Sequence, residues 1–420
     1  MKMNSKNRLF KAIGTVCLLL VVVALVFSGC STSTTTTTTP ATSATTTTQA
    51  PPKHLTVGAI MPVSGPISTV GMAFIRGYEL YFDKVNAEGG IKVGNDTYLI
   101  DFIYEDSQAN PEAAGTAAKK LVFQDGATFV FGEILEQDTQ AIYDVCVPNG
   151  ALHIISWVNV VGHPADVSAD KPLCVRLAVS PDASDIPLLD YFIEAYPNAK
   201  KIAMSVPDII PQPMVDKLTS EITARGIEIV GSEIWEWGVT DFVPLYTKIL
   251  ASDPNAVYCL VSAQAMYQLL AARQLGFEGP FISSSPLGPD VFMIVAGPEV
   301  CNNVICAGWD PAAATGELKE IVDRWMAKWS NDPFVSDAAF AWDQASILVQ
   351  AIEKAQSVDP AAVLAALDAM TTEGGLSTAF GPGRMGGMET YGVNRVLIRP
   401  IPISRILNGV IESVGFIPIG

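Results

Sequence analysis

The sequence predicts an α/β fold built on parallel sheets, and three observations support that prediction. Short apolar runs alternate with amphipathic helical segments along most of the chain, which is the pattern of repeated strand–helix units. Residues 55–108 contain one such unit in full, read as strand, loop, helix, turn and strand. A conspicuous loop follows the first strand of that unit, at the end where parallel sheets bind ligands.

The first unit can be justified residue by residue. The apolar run at 55–60 has the length of a strand that is buried on both faces. Pro, Ser and Gly at 62–66 interrupt regular structure, and the glycine pair at 89–90 ends the following helix. The helix itself is predicted from side chains at steps of four, three and four, which share one face: Phe74, Tyr78, Tyr81 and Val85.

The later elements follow the same alternation. Strands are predicted at 98–104, 128–131, 152–156, 173–177, 201–206, 228–234, 256–261, 280–283 and 304–307. Helices are predicted at 113–123, 137–147, 214–224, 265–275, 318–329, 337–355 and 361–370. Pro and Gly dominate 381–387, and one strand pair is expected between 392 and 419.

Charge and motifs narrow the function. The chain has 420 residues and a formal net charge of −17, which argues against a nucleic acid or an anionic membrane surface as partner. The motifs of serine hydrolases, P-loop proteins, zinc peptidases and dinucleotide-binding proteins are all missing from the sequence. We therefore expect no enzyme activity, no cofactor and no metal.

The first 30 residues are interpreted as an export signal, with a basic start and an apolar core at 13–27 that is short for a membrane span. The run Phe-Ser-Gly-Cys at 27–30 is similar to a bacterial lipobox, in which the cysteine, here Cys30, is acylated. An uncleaved membrane anchor is the alternative. Residues 31–52 are nearly all Thr, Ser, Ala and Pro, so we predict a disordered tether.

Three segments resemble the start of the branched-chain amino-acid-binding protein family, the type I periplasmic receptors of ABC importers. They are VGAIMPVSGP at 57–66, VNAEGGI at 85–91 and IYEDSQANPEAA at 103–114. The resemblance implies two Rossmann-like lobes with parallel sheets, joined by a three-strand hinge.

The same resemblance divides the chain between the lobes. Lobe 1 would take 53–174 and 306–382, and lobe 2 would take 175–305 and 383–420. Crossings between them are then expected near 174–178, 304–308 and 381–384.

In lobe 1 the resemblance places three loops at the ligand. The first carries Ser64 and Gly65, with Val70 where relatives often have an aromatic residue; a plain turn is the alternative. The second carries Glu136 and Gln137, where relatives hold the ligand's carboxylate with hydroxyl groups. Glu136 would repel a carboxylate unless it were protonated, or it simply stabilises a helix N-terminus.

The third loop of lobe 1 carries Ser156, Trp157 and Asn159. Trp157 offers a flat apolar wall with an N–H donor, and Asn159 can both donate and accept hydrogen bonds. The alternative is that Trp157 fills the core of its own lobe.

In lobe 2 the resemblance points to Ile210, where relatives often carry a tyrosine, and to Ser262 and Gln264 in another aromatic-bearing turn. Ser285 stands where amino-acid binders place an acid for the ligand's ammonium group, although Asp290 lies nearby. Several amino-acid contacts are thus replaced together. We expect a ligand that is an amino acid, an amide, or a small or aromatic organic acid.

The resemblance implies an exported receptor that captures one small molecule by hinge closure and passes it to ABC permease subunits. Such a receptor would be monomeric and lipid-anchored through Cys30, facing the periplasm or the outside. A ligand-sensing module of a signalling system, built on the same fold, is the alternative.

Overall fold

The computed structural model of the protein describes residues 51–65, 67–157, 164–260, 262, 264–284 and 288–419. Strands and helices alternate along it, as predicted. The strands are β1 (Lys53–Met61), β2 (Ile91–Val93), β3 (Asp96–Asp106), β4 (Phe129–Phe131), β5 (Leu152–Ile155), β6 (Cys174–Arg176), β7 (Lys201–Pro207), β8 (Glu228–Trp235), β9 (Ala256–Cys259), β10 (Phe281–Ser283), β11 (Val304–Cys306), β12 (Leu376–Thr378), β13 (Gly381–Gly386), β14 (Val396–Ile398), β15 (Ile401–Leu407) and β16 (Val410–Ile417). The helices are α1 (Ser68–Ala87), α2 (Pro111–Lys119), α3 (Glu136–Cys146), α4 (Asp185–Ala195), α5 (Gln212–Ala224), α6 (Val243–Leu250), α7 (Ala265–Gln274), α8 (Pro289–Ala296), α9 (Gly316–Lys328), α10 (Ala338–Ala355), α11 (Pro360–Asp368) and α12 (Met388–Tyr391).

Two sheets organise these elements. The first sheet has nine strands in the order β12-β13-β14-β6-β5-β4-β1-β3-β2, and the second has seven in the order β16-β15-β11-β10-β9-β7-β8. The central strands of both sheets are parallel, and antiparallel strands lie at the edges. The predicted α/β fold with mostly parallel sheets is therefore confirmed. We call each sheet with its helices a lobe, lobe 1 for the first sheet and lobe 2 for the second.

The apolar strands are buried on both faces, which explains their lack of alternation in the sequence. In β1, Val57 and Ala59 enter the core beneath α1 and α10, while Ile60 enters the core that includes side chains of α2 and α3. In β9, Val257 and Tyr258 likewise enter two different cores of lobe 2.

Helix α1 is packed directly against α10. A Cβ atom on Gly77 would lie 2.2 Å from the carbonyl oxygen of Ala338, so only glycine permits this approach. Tyr78 is fully buried on the predicted apolar face. At the start of the helix, Ala73 belongs to a core of lobe 2, and Val70 packs against cores of both lobes.

The chain passes between the sheets after Arg176, after Cys306 and again at Arg399-Pro400. The first two passages lie at expected crossings, but the third differs from the crossing expected at 381–384. Residues 381–386 form a strand in spite of their Pro and Gly content, and β14 pairs in parallel with β6. Sheet membership of this segment depends on that distant partner, which local composition does not reveal.

Five cysteines lie in the described part of the chain, and each is buried as a free thiol: Cys146, Cys174, Cys259, Cys301 and Cys306. They act there as small apolar core residues. Among the described residues, no helix combines the length and the apolar character needed to cross a bilayer.

Candidate functional site

A cavity of about 50 Å³ lies between the two lobes, and we call it the interlobe cavity. Four of its lining residues follow parallel strands: Trp157 is the second residue after β5, and Leu177, Ser284 and Ala307 directly follow β6, β10 and β11. The third crossing contributes Arg399. The cavity is therefore built at the carboxyl edges of both sheets and is bordered by all three crossings, the position at which α/β sheets bind ligands.

One wall of the interlobe cavity is aromatic. The ring of Trp157 meets Phe74 edge-on at 6.5 Å between centroids, and Phe340 lies 6.0 Å away. Trp157 is half-buried, and its backbone N–H donates to the carbonyl of Glu133 at 3.1 Å. The indole is thus held at a fixed place between its own lobe and the cavity, where it offers a flat apolar surface.

The charged wall of the cavity is formed by Arg399 and Asp343. The guanidinium carbon of Arg399 lies 3.9 Å from the centroid of the Phe380 ring, its Nη1 donates to the carbonyl of Pro400 at 2.9 Å, and its Nε lies 3.2 Å from Asp343 Oδ2. The other carboxylate oxygen of Asp343 accepts the N–H of Ala379 at 2.6 Å. Burial raises the pKa of Asp343 to about 7 and lowers that of Arg399 to about 10, in each case against the effect of the partner's charge.

A polar corner completes the cavity where the start of α4 meets the end of β10. The hydroxyl of Ser184 donates to the carbonyl of Ser284 at 3.3 Å. Next to it, Asp185 accepts a hydrogen bond from the buried hydroxyl of Tyr258 at 2.6 Å. These contacts tie the N-terminus of α4, which follows the first crossing, to the sheet of lobe 2.

Comparison with known proteins assigns this arrangement to a family. The sequence profile of the family described as "Periplasmic binding protein" matches residues 54–406. The chain belongs to the periplasmic binding protein family. It is 25% identical over 314 residues to the leucine-, isoleucine-, valine-, threonine- and alanine-binding protein of Pseudomonas aeruginosa, a match that covers 74% of this chain and 81% of the relative.

Solved structures show the same fold for this periplasmic binding protein. The substrate-binding protein LivJ of Streptococcus pneumoniae, in complex with isoleucine, matches with a TM-score of 0.69 and 19% identity, covering 86% of this chain and 100% of the other. A solute-binding protein of Rhodopseudomonas palustris, in complex with p-hydroxybenzoic acid, matches with a TM-score of 0.70 and 17% identity, covering 87% and 98%.

The predicted residues of the first loop form an exposed turn in this periplasmic binding protein. Ser64 and Gly65 are exposed, and the backbone N–H of Val63 donates to Asp106 at the end of β3 at 3.0 Å. Ser64 also hydrogen-bonds Asp106, and together with the backbone N–H groups it lowers the pKa of that carboxyl against the effect of burial. Val70 is half-buried in α1 between the cores of the two lobes.

The second loop places its acids differently from the expectation. Glu136 and Gln137 begin α3, and neither borders the interlobe cavity. The acid turned into the interior is Glu133, whose carboxylate accepts the hydroxyl of Ser107 at 2.6 Å and the N–H groups of Ile134 and Leu135 at 2.5 and 2.7 Å. Burial raises its pKa to about 8.

Ser156 is occupied within lobe 1. Its hydroxyl lies 2.7 Å from that of Tyr78, which donates to Gln344 at 2.5 Å, and its carbonyl accepts from Gln344 Nε2 at 2.8 Å. This buried network links β5, α1 and α10 behind Trp157. Of the lobe 1 residues predicted to contact a ligand, Trp157 is the one that lines the cavity in the described structure.

The lobe 2 residues lie in the interior of their lobe. Ile210 is buried in the core formed with side chains of α5. The hydroxyl of Ser262 accepts from the backbone N–H of Gln264 at 3.1 Å and from Gln268 at 3.0 Å, which orders the start of α7. The side-chain N–H of Gln264 donates to the carbonyl of Val239 at 3.0 Å. The predictions for Asn159, Ser285 and Cys30 lie outside the described residues.

The sequence did not predict three residues of the cavity lining, Arg399, Asp343 and Phe340, because they lie far along the chain from the loops of lobe 1. One signal was present. Arg399 is the lone charged residue of the apolar run VLIRPIPI at 396–403, and a charge is placed in such a run only when something satisfies it.

A larger open groove of about 1020 Å³ adjoins the interlobe cavity and shares Val179, Ser180 and Leu397 with it. Its basic side chains include Arg384, which pairs with Glu373 at 3.5 Å. None of the predicted residues that the structure describes lines this groove.

Proposed function

We propose that this protein is an extracytoplasmic solute receptor that binds one small organic molecule in the interlobe cavity and delivers it to an ABC importer. One observation carries the proposal. The cavity is walled by both sheets and by the three chain crossings, so bending at the crossings would cover and uncover a ligand there. Relatives named for amino-acid binding, and structures titled with isoleucine and p-hydroxybenzoic acid, support a small organic ligand.

The proposal includes the rest of the chain. The leader at 1–30 would direct export, acylated Cys30 would anchor the protein, and the tether at 31–52 would let it reach the permease. The relatives are named as binding or transporter proteins, so the sensing alternative gains no support from them. Trp157 is proposed as the apolar contact for the ligand, with Ser284 as its neighbour from lobe 2.

Isothermal titration calorimetry of the mature protein tests this function. We would titrate single compounds from a set of amino acids, organic acids, primary amides and aromatic acids, after a thermal-shift screen for ligands that raise the melting temperature. The expected result is binding of one molecule per chain. Binding only at several weak surface sites, or no binding by any class, would contradict the proposed function.

A pair of tryptophan variants locates the site. Trp157→Ala should weaken binding by roughly 10-fold or more, because a buried aromatic contact is removed. Trp237→Ala is the matched control, since Trp237 stacks on Trp235 in lobe 2 at 6.0 Å, away from the cavity. Equal affinity of both variants would remove Trp157 from the site.

A further inference from the structure

We infer that Arg399 is the anchor of the interlobe cavity and that the ligand it takes is an organic acid bound as its carboxylate. This inference rests on the proposed receptor function and narrows the ligand class. It comes from the geometry of the third crossing, where the chain places a guanidinium against the cavity instead of an apolar side chain.

Arg399 has hydrogen-bond donors that no described residue uses. Arg399 is 7% exposed and lines the cavity. Its Nη1 reaches the carbonyl of Pro400, and its Nε faces Asp343 at 3.2 Å without hydrogen-bond geometry. None of the described residues accepts a hydrogen bond from its Nη2. A buried guanidinium with donors left over is costly unless an acceptor arrives, and a carboxylate is the acceptor that matches its fork.

The positive charge of Arg399 faces a single acid in the cavity. Asp343 is the one acid among the described residues that line the cavity, and its Oδ1 is already used by the N–H of Ala379. Burial raises the pKa of Asp343, so the site disfavours the negative charge that would balance Arg399. The cation of Arg399 is then incompletely balanced, and a ligand carboxylate supplies the missing charge.

The cavity lining also indicates that the ligand has no ammonium group. An α-amino acid brings an ammonium group that needs an acceptor of its own. Asp343, the one acid of the described lining, already faces Arg399, and Asp290, the acid closest in sequence to the expected place, accepts two hydrogen bonds from Ser336. Around the rest of the cavity, Trp157 and Phe340 present aromatic surface. The described lining therefore favours an acid with a flat or branched apolar body and no ammonium group.

Matched compounds test the ligand class on the unaltered protein. Two pairs compare the same apolar body with and without the carboxylate charge: benzoate with benzamide, and phenylacetate with phenylacetamide. A third pair, 4-methylpentanoate and leucine, compares an acid without and with the ammonium group. Calorimetry near neutral pH should show at least one acid bound at one per chain, with its amide or amino-acid partner at least ~10-fold weaker.

Variants test the residue. Arg399→Gln should weaken the acid by at least ~30-fold while leaving its amide within about 3-fold. Arg399→Lys keeps the charge but not the fork, so it should retain an intermediate affinity. Arg405→Gln is the control, because Arg405 is an arginine of β15 that is paired with Glu412 at 2.6 Å on a partly exposed face. If Arg399→Gln does not fold, the paired variant Arg399→Gln with Asp343→Asn removes both charges together.

The outcomes separate the ligand class, the role of Arg399 and the receptor function. Tighter binding of an amide or of leucine than of its acid partner overturns the acid inference and leaves the receptor function standing. Acid binding that is unaffected in Arg399→Gln overturns the role of Arg399. Failure of every acid to bind overturns the inference as well, and the proposed function falls with it only if amino acids and amides also fail.

Discussion

The carboxylate of Asp290 accepts hydrogen bonds from both the backbone N–H and the hydroxyl of Ser336, at 2.9 and 2.6 Å. Asp290 stands in the first turn of α8 in lobe 2, and Ser336 lies just before α10 of lobe 1. Both side chains are buried. The pair therefore ties the two lobes together, and the acid also suits the positive end of α8.

Removing the hydroxyl of this pair should weaken the protein. Ser336→Ala leaves a buried carboxylate oxygen with one donor fewer, which should cost about 1–3 kcal/mol in the free energy of unfolding. Urea denaturation measures this. Ser404→Ala is the control, because its buried hydroxyl donates to the neutral carbonyl of Gly308 at 2.9 Å. If Ser336→Ala lowers the free energy of unfolding no more than Ser404→Ala does, the hydrogen bond to the Asp290 carboxylate is no stronger than one to a neutral carbonyl.

The approach of α1 to α10 predicts opposite effects at two helical glycines. Gly77→Ala should destabilise the protein by about 1–3 kcal/mol, because its Cβ would lie 2.2 Å from the Ala338 carbonyl. Gly115→Ala in α2 should stabilise it by up to about 1 kcal/mol, since the nearest atoms lie 3.9 Å away and alanine favours helix. Thermal unfolding of both variants checks the signs. Similar melting temperatures would contradict the close packing.

The buried Glu133 predicts that stability falls as pH rises. Its folded pKa is raised to about 8, above the ordinary 4.5, so the folded state holds a proton that the unfolded state has lost. The stabilisation is present at low pH and is lost as pH rises through about 8. Asp337, with its pKa also raised to about 8 by burial, acts in the same direction.

Glu133→Gln isolates that contribution. The amide resembles the protonated acid, so the melting temperature of this variant should fall less than that of the parent between about pH 5 and about pH 8. Glu136→Gln, at the half-exposed start of α3, should follow the parent. Parallel pH profiles for the parent and Glu133→Gln would refute a protonated Glu133.

The proposed lipobox predicts how the N-terminus is processed. Cys30→Ser should abolish acylation and keep the leader at 1–30 uncleaved, because cleavage at a lipobox follows acylation of its cysteine. Cys17→Ser, within the leader, is the matched control and should leave processing unchanged. Fractionation with immunoblotting, and mass spectrometry of the N-terminus, measure this. A parent protein that carries an intact leader and no acyl chain would favour the uncleaved anchor.

Sequence patterns predicted the fold well because strand and helix signals are local. The run at 55–60 and the spacing of Phe74 and Tyr78 became β1 and the buried face of α1. The third crossing was misplaced because β13 looks like a loop in isolation. It becomes a strand through its pairing with β12 and β14, and such partners are chosen by the whole sheet.

The candidate site was predicted only in part, for a related reason. Trp157, which lines the cavity, is the second residue after β5, and a position just after a buried strand is visible in the sequence. Ile210 and Ser262 also follow strands, yet packing inside lobe 2 uses their side chains. A position after a strand restricts where a residue lies, whereas the direction of its side chain depends on neighbours from distant segments.

The sequence by itself determined the α/β class through local periodicity, the acidic charge through composition, and the family through segments that resemble it. Only the tertiary structure decided which groups meet in the interlobe cavity. Arg399 and Trp157 lie far apart in the chain, yet both line that cavity. They come together because three chain crossings fold the carboxyl edges of two sheets toward one place, and that arrangement is a property of the packed lobes.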